Sequence, residues 1–294
     1  MVTRNMATAK VDVDENLVRS LLADQHPDLA DLPIHVLANG WDNVMFRLGD
    51  ELTVRLPRRE MSACLVEHEQ AVLPGLAEVL PIPIPAPVRF GRPALGYPSS
   101  WSVNPWIPGT FAATTPLADP TREARRLGEF LAALHVTAPT DAPPNPHRGH
   151  FVGDNTVRNL DRASRIDDGD RILERWHELV DVEPWPHAPT WIHGDLHGAN
   201  VLVDAGEISG VIDFGDVCAG DPATDLSVAW SMFDVDDRDV FRAAAGTGAH
   251  EIDDATWQRA EAWALHFALV YTLHSADDPT MRAIGERLRT VLLA

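Results

Sequence analysis

Apolar positions set the first expectations. In DENLVRSLLADQ (14–25), Leu17, Leu21 and Leu22 recur at helical spacing, and the pattern predicts a helix. It then shortens. IHVLANGWDNVMFRLGDELTVRLPRR (34–59) carries brief apolar runs separated by Asn39-Gly40 and Gly49-Asp50, two turn-forming pairs, and predicts three strands. Residues 63–79 return to a helical pattern that carries Glu67 and Glu69. In PIPIPAPV (81–88) every second position is proline, which excludes helix and predicts an extended connector. PSSWSVNPWIPG (98–109) predicts a strand that breaks at Pro105 and Pro108.

From about residue 120 the pattern is helical. TREARRLGEFLAALH (121–135) is amphipathic, with Asp119 or Thr121 as its cap. A loop rich in Pro, Asn, Gly and His (139–155) precedes a charged helix near 167–181. Residues 191–215 predict short strands and turns, and 222–294 are mostly helical, including the aromatic WALHFALVYTLH (263–274). The expected fold class is α+β: a strand-rich lobe over 1–105 and a mainly helical lobe over 106–294, divided at the proline-broken stretch 105–109.

Composition narrows the class of protein. The chain has 294 residues, 45% hydrophobic and 23% charged, which suits a globular protein with a sizeable core. It has no apolar run near the roughly 20 residues of a membrane span, and MVTRNMATAKVD has no apolar segment of a secretory signal. With only Cys64 and Cys218, far apart, no disulfide framework is expected, and the reading is cytoplasmic. The formal net charge of −20 argues against nucleic acid and anionic membrane as partners and leaves room for a cationic small molecule.

The chemistry concentrates in WIHGDLHGAN (191–200). His193 and His197 have the i, i+4 spacing of a helical zinc pair, but Gly194 lies between them and Gly198 follows, so the helix that such a pair needs is broken. VLVDAGEISGVIDFGD (201–216) then reads as a hairpin turning at Ala205-Gly206. Asn200 begins its first strand and Asp213 ends its second, so antiparallel pairing brings them side by side, with Asp195 on the loop just before. Oxygen ligands gathered in this way suit Mg²⁺, which takes one or two protein carboxylates and completes its shell with phosphate and water. Asp-x4-Asn followed by Asp-Phe-Gly has the spacing of a kinase catalytic loop and its metal-binding Asp.

HGDLHGANVLVD, GVIDFGD and GDPATDLSVAW resemble, in that order, the motifs of the aminoglycoside phosphotransferase family, small-molecule kinases of protein-kinase-like fold. The resemblance implies an N-terminal antiparallel five-stranded sheet with one helix and a larger helical C-terminal lobe, with ATP or GTP and Mg²⁺ between them. By position it implies that Asp195 is the catalytic residue and that Asn200 and Asp213 hold Mg²⁺. His193, His197 and Asp225 would brace the loop, and Asp221-Pro222 would start the next helix. In the first lobe NGWDNVMFRLG (39–49) takes the place of a nucleotide-covering loop, including Gly40 and Asn43. TVRLP offers Arg55 where the family usually has a phosphate-contacting Lys. Glu69, or alternatively Glu67, would hold that cation, and backbone groups of Ser102, Val103 and Asn104 would meet the adenine edge.

The resemblance implies transfer of a γ-phosphoryl group to a hydroxyl of an antibiotic-like acceptor, foremost an aminoglycoside. A macrolide or a housekeeping sugar or amino alcohol is the alternative, and a non-catalytic nucleotide-binding module a further one. Acceptor contacts are expected from the helical part, with Asp154, Asp234, Asp236, Asp237, Trp263 and His266 as candidates; Trp263, His266 and Tyr271 also fit a role in the core.

Overall fold

The computed structural model describes residues 13–39, 43–275 and 277–294. They form two compact units. One spans the chain up to Val79 plus Pro83–Ile107, the other Leu80–Ile82 plus Pro108–Ala294.

The first unit begins with α1 (Glu15–Gln25), capped by Asp14, whose side chain accepts from Leu17 N at 2.8 Å. Its buried stripe is Val18, Leu21 and Leu22. Strands β1 (Ile34–Asn39), β2 (Asn43–Leu48) and β3 (Leu52–Pro57) follow, then α2 (Glu60–Ala77), β4 (Arg89–Gly91) and β5 (Trp101–Pro105). All pair antiparallel in the order β1-β2-β3-β5-β4, the five-stranded sheet expected. The core lies between α1 and one face of this sheet: Val44, Phe46 and Leu48 alternate inward along β2 and meet Val18, Leu21, Leu22 and Trp101. The expected turn at Gly40 lies outside the described residues.

The second unit is mainly helical. It runs through β6 (Thr110–Phe111), α3 (Pro120–Leu134), α4 (Thr156–Ala163), α5 (Gly169–Val180), β7 (Thr190–Ile192), β8 (Val201–Asp204), β9 (Glu207–Val211) and β10 (Cys218–Gly220). It ends with α6 (Ala223–Leu226), α7 (Val228–Met232), α8 (Val235–Ala245), α9 (Asp254–His274) and α10 (Pro279–Leu292). Asp119, not Thr121, caps α3 by accepting from Arg122 N at 3.0 Å. Helix α9 is buried on nearly all sides, from Ala260 through Leu269, because α4, α5, α6, α7 and α10 all pack on it. Among the described residues no helix is long and apolar enough to cross a membrane.

Helix α4 falls where the sequence pattern shows no apolar stripe. It buries Asn159 and Ala163 while Val157 is 79% exposed and Leu160 40%. Its polar side faces the protein, so periodicity gives no warning of it.

Candidate active site

The site in the second unit is a loop between two strand systems. Ile192 at the end of β7 pairs with Cys218 of β10, and after eight residues the chain enters the β8–β9 hairpin. The hairpin closes through Ala205 (φ 49°) and Gly206 (φ 85°), both left-handed, the geometry that suits the right-handed twist of the strands. At its open end Val201 faces Val211, and Ile212 N donates to Asn200 O at 2.9 Å. Asn200 therefore stands opposite Ile212, the residue before Asp213.

Asp225, fully buried in α6, fixes the entry to the loop. Its carboxylate accepts from His193 N at 2.7 Å and from Gly194 N at 2.9 Å, and His135 Nε2 stands 3.2 Å from the same group. Two backbone donors thus satisfy this buried carboxylate, one on each oxygen. His193 Nε2 faces Ile212 O at 2.9 Å and must donate, which leaves Nδ1 to accept from Asp195 N at 3.2 Å. One neutral tautomer thus ties the loop to the hairpin. Gly194 has φ +85°, and a Cβ there would lie 2.5 Å from Asp216 O, so the turn into Asp195 needs glycine.

Asn200 Nδ2 donates to Asp195 O at 2.9 Å, which leaves the amide oxygen as the atom that could serve a cation. His197 accepts from Ala199 N at Nδ1, so its protonated Nε2 faces Asp195 Oδ2 at 3.5 Å. Both histidine rings are thereby spent on the loop, which disposes of a zinc pair. Asp213 is exposed and takes a left-handed conformation, φ 64° and ψ 63°. An amide oxygen and a carboxylate at one hairpin end are hard donors, a set that fits Mg²⁺ bound together with phosphate oxygens.

The Asp195 side chain keeps 27% exposure and meets a residue that spacing did not single out: Arg148, whose Nη2 lies 3.0 Å from Oδ1. Burial works against the charged form of Asp195, but the Arg148 charge and then the hydrogen bond from His197 outweigh it and hold the carboxyl well below the usual carboxylate range. Arg148 also stands 3.5 Å from Asp216 Oδ2, and Asn145 Nδ2 donates to Asp216 Oδ1 at 2.8 Å. The loop 139–155 gave only turn chemistry in the sequence, so neither contact had a signal there.

Of the proposed acceptor contacts, Trp263 is fully buried and His266 is 4% exposed, its Nδ1 3.0 Å from Asn159 Oδ1. The core role left open for them is where the fold puts them. Asp154 is exposed, and Asp234 is exposed and paired with Arg287 at 3.2 Å. Asp236 is exposed, and Asp237 accepts from Thr121 Oγ1 at 2.6 Å.

In the first unit Arg55 is buried on β3, and its Nη1 lies 2.6 Å from Glu69 Oε1 of α2. Glu67 is exposed and accepts from Ser100 instead. With its amide oxygen turned toward Arg55, Asn43 accepts from Nη2 at 3.0 Å and Nε at 3.3 Å. Ser102, Val103 and Asn104 lie buried inside β5; Ser102 and Val103 have strands on both sides, β3 and β4. The adenine-edge role expected of Ser102 and Val103 is corrected on that ground, because backbone groups held inside a sheet are not on offer to a base; Asn104 pairs on one side only, with Thr53 of β3. Gly40 lies outside the described residues.

A five-stranded antiparallel sheet with a helix ion-paired to its third strand, together with a helical unit carrying an Asp–Asn–Asp loop and hairpin, defines a protein-kinase-like phosphotransferase fold. The model of the APH phosphotransferase enzyme family matches residues 33–263, and the chain belongs to that family. Among solved structures it is similar to the GDP and kanamycin complex of APH(2")-IIIa, with a TM-score of 0.69 and 20% identity over 94% of this chain and 98% of that one. The macrolide 2'-phosphotransferase MphH from Brachybacterium faecium gives 0.63 and 23% identity over 93% and 97%. A curated relative, the uncharacterized protein YcbJ of Bacillus subtilis, is 30% identical over 117 residues, 37% of this chain; the match spans 38% of that relative's length.

Proposed function

We propose that the protein is a small-molecule kinase that transfers the γ-phosphoryl group of ATP or GTP to a hydroxyl of an antibiotic-like or metabolite acceptor. The observation that carries the reading is the loop itself: Asp225 clamps the amides of His193 and Gly194, and Asn200 ties Asp195 to the hairpin end that carries Asp213. The bond between the γ-phosphorus and the β–γ bridging oxygen breaks and a P–O bond to the acceptor forms. The hydroxyl proton passes to solvent, and the nucleoside diphosphate leaves.

Asp195 accepts the acceptor's O–H and aims its oxygen. Held so far toward its ionised form, it orients rather than stores the proton, and positioning of this kind is worth about 7–11 kcal/mol in well-ordered systems. Asn200 and Asp213 would hold Mg²⁺, which neutralises charge on the phosphate oxygens. Arg55, kept in place by Glu69 and Asn43, supplies positive charge to the nucleotide as a planar fork rather than the point charge of a Lys. Similarity to aminoglycoside and macrolide phosphotransferases supports an antibiotic-like acceptor.

The test is Asp195→Asn. Nucleotide affinity, measured with Mg²⁺ present, should stay within about threefold, while acceptor-dependent diphosphate release across aminoglycosides, macrolides, sugars and amino alcohols falls at least 100-fold. Turnover that survives in this variant would remove Asp195 from the chemistry and end the proposal.

A further inference from the structure

The loop that carries Arg148 is built to deliver it. Asn145 donates to Asp216, His147 N donates back to Asn145 Oδ1 at 2.9 Å, and Asp221 N donates to Gly149 O at 2.8 Å. Gly149 (φ +69°) rests directly on Gly220 of β10: a Cβ on Gly149 would lie 2.7 Å from the Gly220 Cα, and one on Gly220 would lie 2.4 Å from the Gly149 Cα. Two glycines back to back let the loop approach β10 this closely. Arg148 then lies with Nη2 on Asp195 and Asp216, Nη1 3.3 Å from His147 O and its Cζ 5.2 Å over the Phe267 ring. Its Nε is buried with no protein partner.

We propose that Arg148 is a specificity-determining residue of the acceptor site, selecting a hydroxyl compound with oxygen groups beside the phosphorylated position and rejecting one that carries an ammonium there. This rests on the reading that Asp195 orients the acceptor hydroxyl. An ammonium is drawn to a bare carboxylate, but here a guanidinium stands 3.0 Å from Asp195 and 3.5 Å from Asp216, and its repulsion offsets part of that attraction. A hydroxyl, carbonyl or carboxylate oxygen meets the opposite situation, because guanidinium N–H groups are donors only. The surroundings extend the same sign: burial first, then the charges of Arg162, Arg148, His150 and Arg158, lower the pKa of His266 well below its usual range. A chain of net charge −20 has thus placed a cation, Arg148, beside its reactive carboxylate.

The experiment compares matched acceptors on the full chain with Mg²⁺ and ATP or GTP: neutral cyclitols and sugars and sugar acids in one arm, and aminocyclitols, aminoglycosides and macrolides with a protonated amino sugar in the other. For the wild type we expect kcat/KM for the best ammonium-free acceptor to exceed that for the best ammonium acceptor at least 100-fold. Arg148→Gln should narrow that ratio at least tenfold, mainly through KM, and Arg148→Lys should keep the order of preference. A merely structural Arg148 would lower kcat for all acceptors alike. Should Arg148→Gln fail to fold, as judged by nucleotide binding, the wild-type ratio and Arg148→Lys still decide. A wild type that prefers an ammonium acceptor, with Asp195→Asn inactive, overturns this inference and leaves the kinase reading standing. If no acceptor raises diphosphate release above that of Asp195→Asn, both fall.

Discussion

Asp225→Asn is the sharpest perturbation of the loop. The substitution keeps the volume of a side chain that is fully buried, and changes its charge and hydrogen-bonding character. The carboxylate accepts two backbone N–H groups at 2.7 and 2.9 Å, one on each oxygen. An amide offers one oxygen, so the other N–H must face an NH₂ group, donor against donor. Hydrogen bonds to a charged group contribute about 1.5–3 kcal/mol each, and an orphaned buried N–H costs a further 1–3 kcal/mol or so. Losing one of the pair and weakening the other should therefore cost roughly 3–5 kcal/mol. For a unit of this size that is a fall of about 6–20 °C in the thermal midpoint. Activity should fall further than stability, because His193 and Gly194 lead directly into Asp195, and a shift of about 1 Å costs on the order of 100-fold in rate. Differential scanning fluorimetry and steady-state kinetics well below the midpoint separate the two effects. A midpoint shift under 2 °C with turnover within twofold of wild type would refute the claim that this carboxylate sets the loop.

Two more predictions concern other buried polar groups. Glu69→Gln strips the Arg55 guanidinium of its carboxylate; breaking a buried pair costs about 3–5 kcal/mol, so the first unit should lose stability and nucleotide KM should rise, while an unchanged KM would detach Arg55 from nucleotide binding. His266 has its pKa well below the usual value through burial first, so the folded state resists protonation that the unfolded chain accepts. Stability should accordingly be full above the unfolded pKa of about 6.5 and fall below it by up to about 1.4 kcal/mol per pH unit, in a fluorimetry series from pH 7.5 to 5.5. His266→Gln, which keeps a partner for Asn159, should flatten the decline; parallel curves would refute that assignment.

The sequence by itself determined a good deal. Asp14 and Asp119 cap helices whose apolar stripes are visible in one dimension, and Gly49-Asp50 turns the chain between β2 and β3. The hairpin is legible because Ala205-Gly206 sits midway between two apolar runs, and antiparallel pairing alone then brings Asn200 opposite Ile212, one residue before Asp213. These features arise from local steric and hydrogen-bonding rules, which act over a few residues.

Tertiary structure decided the rest. Helix α4 escaped notice because it turns Asn159 inward to His266 and leaves Val157 outside, so its partner and not its own pattern defines its buried face. Ser102–Asn104 read as chain open to a ligand until strands on either side enclosed Ser102 and Val103. Arg148 lies 47 residues before Asp195, in a loop with no periodicity, and reaches it because two glycines, 149 and 220, allow that loop to rest on β10. Charge is the clearest case. Composition gives a strongly acidic chain, but the field at Asp195 depends on which side chain comes within 3 Å of it, and Coulomb energy follows distance through space, not separation along the chain.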